Sequence, residues 1–340
     1  MGNQNRDGWL WVAAGIGAFF AARALVNRWR EYELRGKVVL ITGGSRGLGL
    51  VMAREFAKEG ARIAVCARDA GELERARADL LERGAEVMAV PCDVTDRAQV
   101  KEMTDVLTEH FGRIDVLVNN AGVIQVGPIE VMTLEDYEQA MKVHFWGPLY
   151  TTLAVLPQMR ERREGRIVNI SSIGGKISVP HLVPYSASKF ALVGLSAGLR
   201  AELAADGIVV TTVCPGLMRT GSPRNANFKG RHKAEYAWFS ISDALPVTSM
   251  QAERAARQII DACKRGDAEA VLSLQAQLAV TFHALCPGLV QDMLGLVNRL
   301  LPAPGGIGRQ RAKGRESESS LSPSWLTALS ESAALRNNEI

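Results

Sequence analysis

From residue 37 onward, short apolar runs alternate with longer stretches whose apolar positions recur at helical spacing. "KVVLITGG" (37–44), "ARIAVCAR" (61–68), "EVMAVPCDV" (86–94), "IDVLVNNAG" (114–122), "GRIVNISS" (165–172) and "IVVTTVCPG" (208–216) read as buried strands. Helices fall between them at 47–59, at "AGELERARADLLERG" (70–84), along "AQVKEMTDVLTEHFG" behind a Thr95 cap, and from about Tyr185 to Ala205. A weaker strand, "EAVLSL" (269–274), could close the sheet. Strands without internal polar alternation, separated by helices, predict βαβ units and a parallel sheet covered on both faces. The expected fold is a single doubly wound, Rossmann-like α/β domain over residues 35–275.

Two flanks break this rhythm. Residues Gly8–Ala22 carry no charge, Trp9 and Trp11 stand at one end, and Arg28, Trp29 and Arg30 follow at the other. A bilayer core requires about 20 mostly apolar residues with aromatics at its edges, and residues 9–26 just meet that length with Arg23 snorkelling. A cleaved signal peptide, an interfacial helix and a buried core helix share this composition, and Ala22-Arg23-Ala24 resembles a cleavage site. Basic residues are heavier after the segment (Arg23, Arg28, Arg30, Arg35, Lys37) than before it (Arg6), which keeps the following domain in the cytosol. Residues 1–34 are therefore expected to be a membrane anchor and linker. Residues 276–301 form an apolar helical extension broken at Cys286-Pro287-Gly288, packed on the core or lying in the membrane interface. Residues 302–340 are expected to be mostly disordered, because 302–324 are rich in Pro, Gly, Ser and Arg. "SPSWLTALSESAALR" (322–336) could form one short helix behind a serine cap.

Composition narrows the function classes. A net charge of +4 over 340 residues gives no basic footprint, and no nucleic-acid-binding signature occurs. The five cysteines are scattered singly without a CxxC pair, so neither a metal site nor a disulfide framework is expected, only small buried thiols.

The chemistry-bearing stretch is "TGGSRGLG" (42–49), between a predicted strand and a predicted helix. Gly43, Gly47 and Gly49 allow a sharp turn and close backbone approach to a pyrophosphate, with Ser45, Arg46 and Leu48 completing the loop at a helix N-terminus. A GxxxxGK[ST] loop is absent. An acidic residue ending the second strand would select the unphosphorylated ribose; this chain instead has Ala67 and Arg68, with Arg46 in the loop. Two guanidiniums suit a 2′-phosphate, so NADP(H) is the expected cofactor. Asp69 follows directly and keeps NAD open, and Arg68 as a solvated loop residue is the bland alternative. Asp93, after the third strand, is placed to meet the adenine edge.

Tyr185 and Lys189 stand four apart at the start of a helix and so share a face. A phenol near pKa ~10 is a poor base at neutral pH unless a cation stabilises its phenolate, which Lys189 could supply. Ser172, at a strand end, can donate to a carbonyl oxygen. With "TGGSRGLG", "NNAG" (119–122), Ser172, "YSASK" (185–189) and "CPGLMRT" (214–220) in order, residues 36–275 closely resemble the short-chain dehydrogenase/reductase family. The resemblance implies that Tyr185 is the general acid/base, that Lys189 holds the nicotinamide ribose and lowers the tyrosine pKa, and that Ser172 orients the carbonyl. It implies that Asn119 supports the central strand, that Asn120, Ala121 and Gly122 line the cofactor pocket, and that Pro215, Gly216 and Thr220 meet the nicotinamide end. One departure stands out: where the family usually has an asparagine that anchors a proton-relay water, "VHFWG" (143–147) has His144. An imidazole titrates near neutrality and could keep such a relay, or could simply be packed.

The segment after "CPGLMRT" would be the lid over the substrate, as the resemblance implies. It begins basic (Arg224, Lys229, Arg231, Lys233) and turns aromatic (Tyr236, Trp238, Phe239), which suits an apolar substrate, anionic headgroups or an ordinary loop. An anchor joined to this fold is similar to membrane-bound hydroxysteroid and retinoid dehydrogenases, which points to a lipophilic ketone or alcohol. The sequence reading is thus an NADP(H)-dependent carbonyl/alcohol oxidoreductase at a membrane, its catalytic domain facing the cytoplasm. NAD-dependent alcohol oxidation, a nucleotide-binding scaffold and a tether are its rivals. A homodimer through the Tyr185 helix is compatible with the resemblance.

Overall fold

The computed structural model describes residues 31–244, 249–319, 322 and 327–340, with Gly15 and Gly17 from the N-terminal stretch. The anchor expected at residues 9–26 lies outside the described residues, those two glycines apart. Seven strands form the sheet: β1 (Val38–Thr42), β2 (Arg62–Ala67), β3 (Val87–Pro91), β4 (Val116–Asn119), β6 (Gly165–Ile170), β7 (Ile208–Pro215) and β11 (Glu269–Leu272). Their order is β11-β7-β6-β4-β1-β2-β3 and every pairing is parallel. The order reverses between β1 and β4, so their carboxyl ends open the crevice in which this topology places a ligand.

The central strands are buried on both faces, which is why they read as unbroken apolar runs. On one face Val39, Ile41, Val65 and Val118 pack against α1 (Gly47–Lys58) and α9 (Ala252–Arg265) through Leu50, Phe56, Ala256 and Ile259. On the other, Leu40, Cys66, Leu117 and Ile167 meet α3 (Arg97–Phe111) and α5 (Gly147–Arg162) through Met103, Leu107, Val155 and Met159. Helix starts follow local chemistry. Asp69 accepts the Glu72 N–H to cap α2 (Ala70–Glu82), and Thr133 and Asp136 cap α4 (Leu134–Met141) reciprocally. The α3 cap is Asp96, not the expected Thr95. Asp96 accepts from Ala98 and Gln99, whereas Thr95 turns back and donates to Asp93 at 2.8 Å. Between α4 and α5 the chain makes a π-turn at Lys142–Trp146 that presents His144 inward.

The long helix α6 (Val183–Leu203) carries the Tyr185 stretch behind β6. After β7 come the lid elements β8 (Leu217–Arg219), α7 (Ser222–Asn225), β9 (Asn227–Phe228), α8 (His232–Ala244) and β10 (Ser249–Gln251). The apolar extension is α10 (Leu274–Leu285) and α11 (Pro287–Asn298), broken where Pro287 interrupts the pattern. Among the described residues no single helix is long and apolar enough to cross a membrane; α10 and α11 meet that test only together, and they bend by 118°. Residues 302–319, expected to be disordered, are instead built into the lid. β12 (Ala312–Lys313) pairs antiparallel with β9, which itself pairs with β5 (Gln125–Val126), and Ser317 is buried. The short helix near the end is α12 (Ala328–Arg336), with Thr327 rather than a serine at its cap position. Four of the five cysteines are buried, Cys66 and Cys92 against each other, and Cys286 is exposed.

Candidate active site

The carboxyl ends of β1, β2, β4, β6 and β7 surround a cavity of about 720 Å³ that runs from the glycine loop to Tyr185. A second hollow of about 930 Å³ beside β11 holds none of the glycine-loop or tyrosine–lysine residues. The loop's glycines are there for space. Gly43 sits at φ +64, and a Cβ on it would come within 2.9 Å of Ala121 Cα. A Cβ on Gly49 would lie 2.1 Å from the Gly43 carbonyl oxygen. Asn120 ties the loop to β4, its Nδ2 donating to the carbonyls of Thr42 (3.0 Å) and Gly43 (3.1 Å). α1 begins without a side-chain cap and its N-terminus borders the cavity, the kind of position that receives a phosphate, although its first amide, Gly47 N–H, donates to the Asn337 carbonyl at 2.9 Å. A Cβ-free cradle at a helix N-terminus and the size of the cavity together fit a dinucleotide.

At the far end of the cavity lie Arg68, exposed on the rim, Asp93 and Lys313 from β12. Arg46 is not free: it pairs with Glu72 at 2.5 Å, and Ser45 Oγ donates to the same carboxylate at 3.0 Å. Burial first, then the cations of Arg46, Arg68 and Arg315, hold the Lys313 ammonium below its usual range. Three cations therefore face one end of the pocket. The electrostatics there suit an anion, with Glu72 opposing.

At the near end, Ser172 follows β6 and accepts the Gly174 N–H at 3.0 Å. Tyr185 lies in the first turn of α6 and Lys189 one turn on, its Nζ donating to the Ile170 carbonyl at 2.8 Å and standing 5.7 Å from the Tyr185 ring centre. Burial pushes the phenol up to about 12 against the hydrogen bond from Ser172. Burial also pulls Lys189 down to about 7. The lowering of the tyrosine by the lysine that the resemblance implies is not seen here: burial sets the phenol, with only the Ser172 hydrogen bond opposing it. A lysine held near neutrality is a weak cation, and the shared desolvation dominates both groups.

His144 is buried, and both ring nitrogens are engaged. Nε2 accepts the Val123 N–H at 3.1 Å, so Nδ1 carries the proton and donates to Ser188 Oγ at 2.7 Å. Ser188 in turn donates to the Tyr185 carbonyl at 2.7 Å. Burial and the neighbouring Lys189 hold its pKa well below the ordinary value, so it does not titrate near neutrality. His144 is a neutral strut joining the chain just after "NNAG" to the Tyr185 helix. Asn119 is a strut too, donating to Asn169 Oδ1 at 2.8 Å across β4 and β6 and accepting from Thr151 at 2.6 Å.

The geometry agrees with what known proteins show. The model of the short chain dehydrogenase family matches residues 37–229. The chain belongs to the short-chain dehydrogenases. A dehydrogenase/reductase SDR family protein 7-like of Anopheles gambiae is 42% identical over 199 residues, covering 57% of this chain and 63% of its own length. The chain thus spans less than two thirds of that relative. Among solved structures, an actinorhodin polyketide ketoreductase variant with NADPH is 34% identical with a TM-score of 0.63, covering 69% of this chain and 95% of its own. A short-chain dehydrogenase/reductase from Burkholderia phymatum in complex with NAD is 27% identical with a TM-score of 0.70, covering 76% and 96%.

In this short-chain dehydrogenase, the glycine loop, Arg68, Asp93, Asn120, Ala121, Gly122, Ser172, Tyr185, Lys189, Pro215 and Gly216 all line one cavity. Thr220 does not: it is buried beside the cavity and donates to Ser222 at 2.7 Å. Two of the lid's four basic residues, Arg224 and Lys229, are engaged inward, whereas Arg231 and Lys233 are exposed. Lys229 is buried against Asp136, and Arg224 pairs with Glu331 at 2.7 Å, so these two do not form a surface for anionic headgroups. Its aromatics are core rather than a substrate wall: Tyr236 and Phe239 are buried against Phe228 and Leu182 with Tyr185 and Trp238 at the edge, and Tyr236, Trp238 and Phe239 do not line the cavity. Lys313 and Glu339 also line the cavity but have no sequence signal, since they lie in a stretch whose composition reads as tail.

Proposed function

We propose that the chain is an NADP(H)-dependent oxidoreductase that interconverts a carbonyl and a secondary alcohol on a lipophilic substrate. The observation that carries this reading is the single cavity with a dinucleotide cradle at one end and Ser172, Tyr185 and Lys189 at the other. A bound nicotinamide would supply or accept hydride at the substrate carbon. Ser172 donates to the carbonyl oxygen and fixes its direction. In reduction, Tyr185 passes its proton to that oxygen; in oxidation it takes the proton back. Lys189, buried one turn along the helix, supports the tyrosine and the ribose side of the pocket. Arg68 and Lys313 favour the 2′-phosphate, and the apolar Ile124, Val143 and Met218 that line the cavity favour an apolar substrate. Residues 9–26 would hold this domain at the cytoplasmic face of a membrane, and extraction of membranes with alkaline carbonate tests that: an anchored chain stays in the pellet.

The decisive experiment titrates NADPH and NADH by fluorescence into the wild type and Arg68→Ala, then follows one turnover against a ketone panel. Tighter NADPH binding that Arg68→Ala erases, with oxidation by apolar ketones, is the expected result. Equal affinities would favour NAD-dependent alcohol oxidation, a reading kept alive by the Arg46–Glu72 pair. Absence of binding would leave a scaffold.

A further inference from the structure

The glycine loop already has a ligand in this chain. Its first helical amide, Gly47 N–H, donates to the Asn337 carbonyl at 2.9 Å. Asn338 Nδ2 donates to the carbonyls of Ser45 (2.8 Å) and Glu72 (3.0 Å), and its Oδ1 accepts from Arg75 at 2.6 Å. Arg54 on α1 donates to Asn337 Oδ1 at 2.9 Å and to the Arg336 carbonyl at 3.0 Å. Beyond them the Glu339 carboxyl lies inside the dinucleotide cavity. One of its oxygens accepts the Gly221 N–H at 2.5 Å, and another stands 3.1 Å from where a Cβ on Gly47 would be. Glu339 therefore bridges the glycine loop to the start of the lid.

These contacts are those an anion at a helix N-terminus makes, and they use the same donors. The Gly47 amide cannot serve the Asn337 carbonyl and a pyrophosphate at once, and the Glu339 carboxyl fills the space between Gly47 and Gly221. We propose that residues 337–339 are an intramolecular occupant of the pyrophosphate subsite, an autoinhibitory segment that must leave before a dinucleotide binds. The inference rests on the dinucleotide reading of the cavity. The segment is positioned by α12, where Glu331 pairs with Arg224 of the lid and Ala334 packs at Gly221. Release of the segment would thus be coupled to movement of the lid that covers the substrate. Because its main contact is with the pyrophosphate subsite, it opposes NADPH and NADH alike.

The test compares the full chain with one lacking residues 337–340 by fluorescence titration of NADPH and NADH, with adenosine 2′-phosphate as the ligand that lacks a pyrophosphate. Binding-competent protein is the fraction with the segment released, so removal should tighten both dinucleotides by about ten-fold or more and adenosine 2′-phosphate, which lacks the pyrophosphate, by less. Glu339→Ala in the full chain should move the same way by a smaller factor, and it serves if the shortened chain does not fold. Hydrogen exchange on the intact chain gives the second readout: saturating NADPH should speed exchange at residues 337–339. Equal dinucleotide affinities with and without the segment, or slowed exchange there, overturn the proposal and leave the cofactor reading standing. Failure of both chains to bind either dinucleotide overturns the cofactor reading and this proposal with it.

Discussion

Tyr185 and Lys189 are adjacent on one helix face, and desolvation drives their proton equilibria apart, to about 12 and about 7. In the cofactor-free protein the lysine is thus expected to lose its proton near neutrality. A 13C-labelled lysine signal titrating with a midpoint near pH 7 is the expected outcome, and a midpoint at the ordinary 10.5 would show a solvated ammonium. The sign for stability follows from the depressed pKa. Between about pH 7 and 10.5 the unfolded chain binds the extra proton, so this residue's contribution makes the fold more stable as pH rises through that window. His144 behaves differently, because its two partners, Val123 N–H and Ser188 Oγ, are both consumed by a neutral ring. His144→Ala leaves these groups unpaired in a buried site and should cost about 1–3 kcal/mol by urea denaturation. The wild-type His144 resonances should not shift between pH 5.5 and about 8, because a histidine titrates there only when its pKa is near its ordinary value.

At the scale of elements, the β1–loop–α1 unit is held by close backbone approach rather than by side chains. Gly49→Ala would force a Cβ to 2.1 Å from the Gly43 carbonyl, so it should abolish dinucleotide binding and lower stability together. Gly198→Ala is its counterpart on α6: a Cβ there meets nothing within 4 Å. Replacing an exposed helical glycine should therefore raise stability by about 0.5–1 kcal/mol, and a loss instead would mean that this face is covered by a second molecule. The same contrast explains what the sequence could and could not say. β1, β2, β4 and β7 were legible because a strand buried on both faces must be apolar along its whole length. The glycine loop was legible because only glycine satisfies its sterics. The α3 cap was misread by one residue because Thr95 and Asp96 can both cap, and Thr95 is taken by Asp93. β12 and the segment at Asn337–Glu339 were illegible for a deeper reason. Their order comes from partners far along the chain, such as β9 for Ala312 and Arg54 for Asn337, and no local periodicity records such a contact.

Across the whole molecule, the extension after α11 works as a strap that fastens the lid to the dinucleotide domain. One fixed point is the buried carboxylate of Asp136 on α4, which takes Lys229 from the lid and, at 2.8 Å, Arg311 from the strap. Burial alone would raise this carboxyl. Lys229, the Thr133 N–H and Arg311 outweigh it and hold the carboxyl below its ordinary 3.8. Its contribution to stability is therefore present above pH 3.8 and lost as pH falls through the lower folded value. Asp136→Asn removes the charge but keeps the shape, leaving Lys229 buried without a counter-charge. That substitution should destabilise the protein by about 3–5 kcal/mol at neutral pH. The gap between variant and wild type in urea denaturation should narrow as pH drops below 3.8, where the unfolded wild-type chain takes up a proton, until the folded carboxylate is protonated as well at its lower value. A gap that stays constant with pH would show that the carboxylate's charge does not hold the strap, and that lid and extension are joined by packing alone.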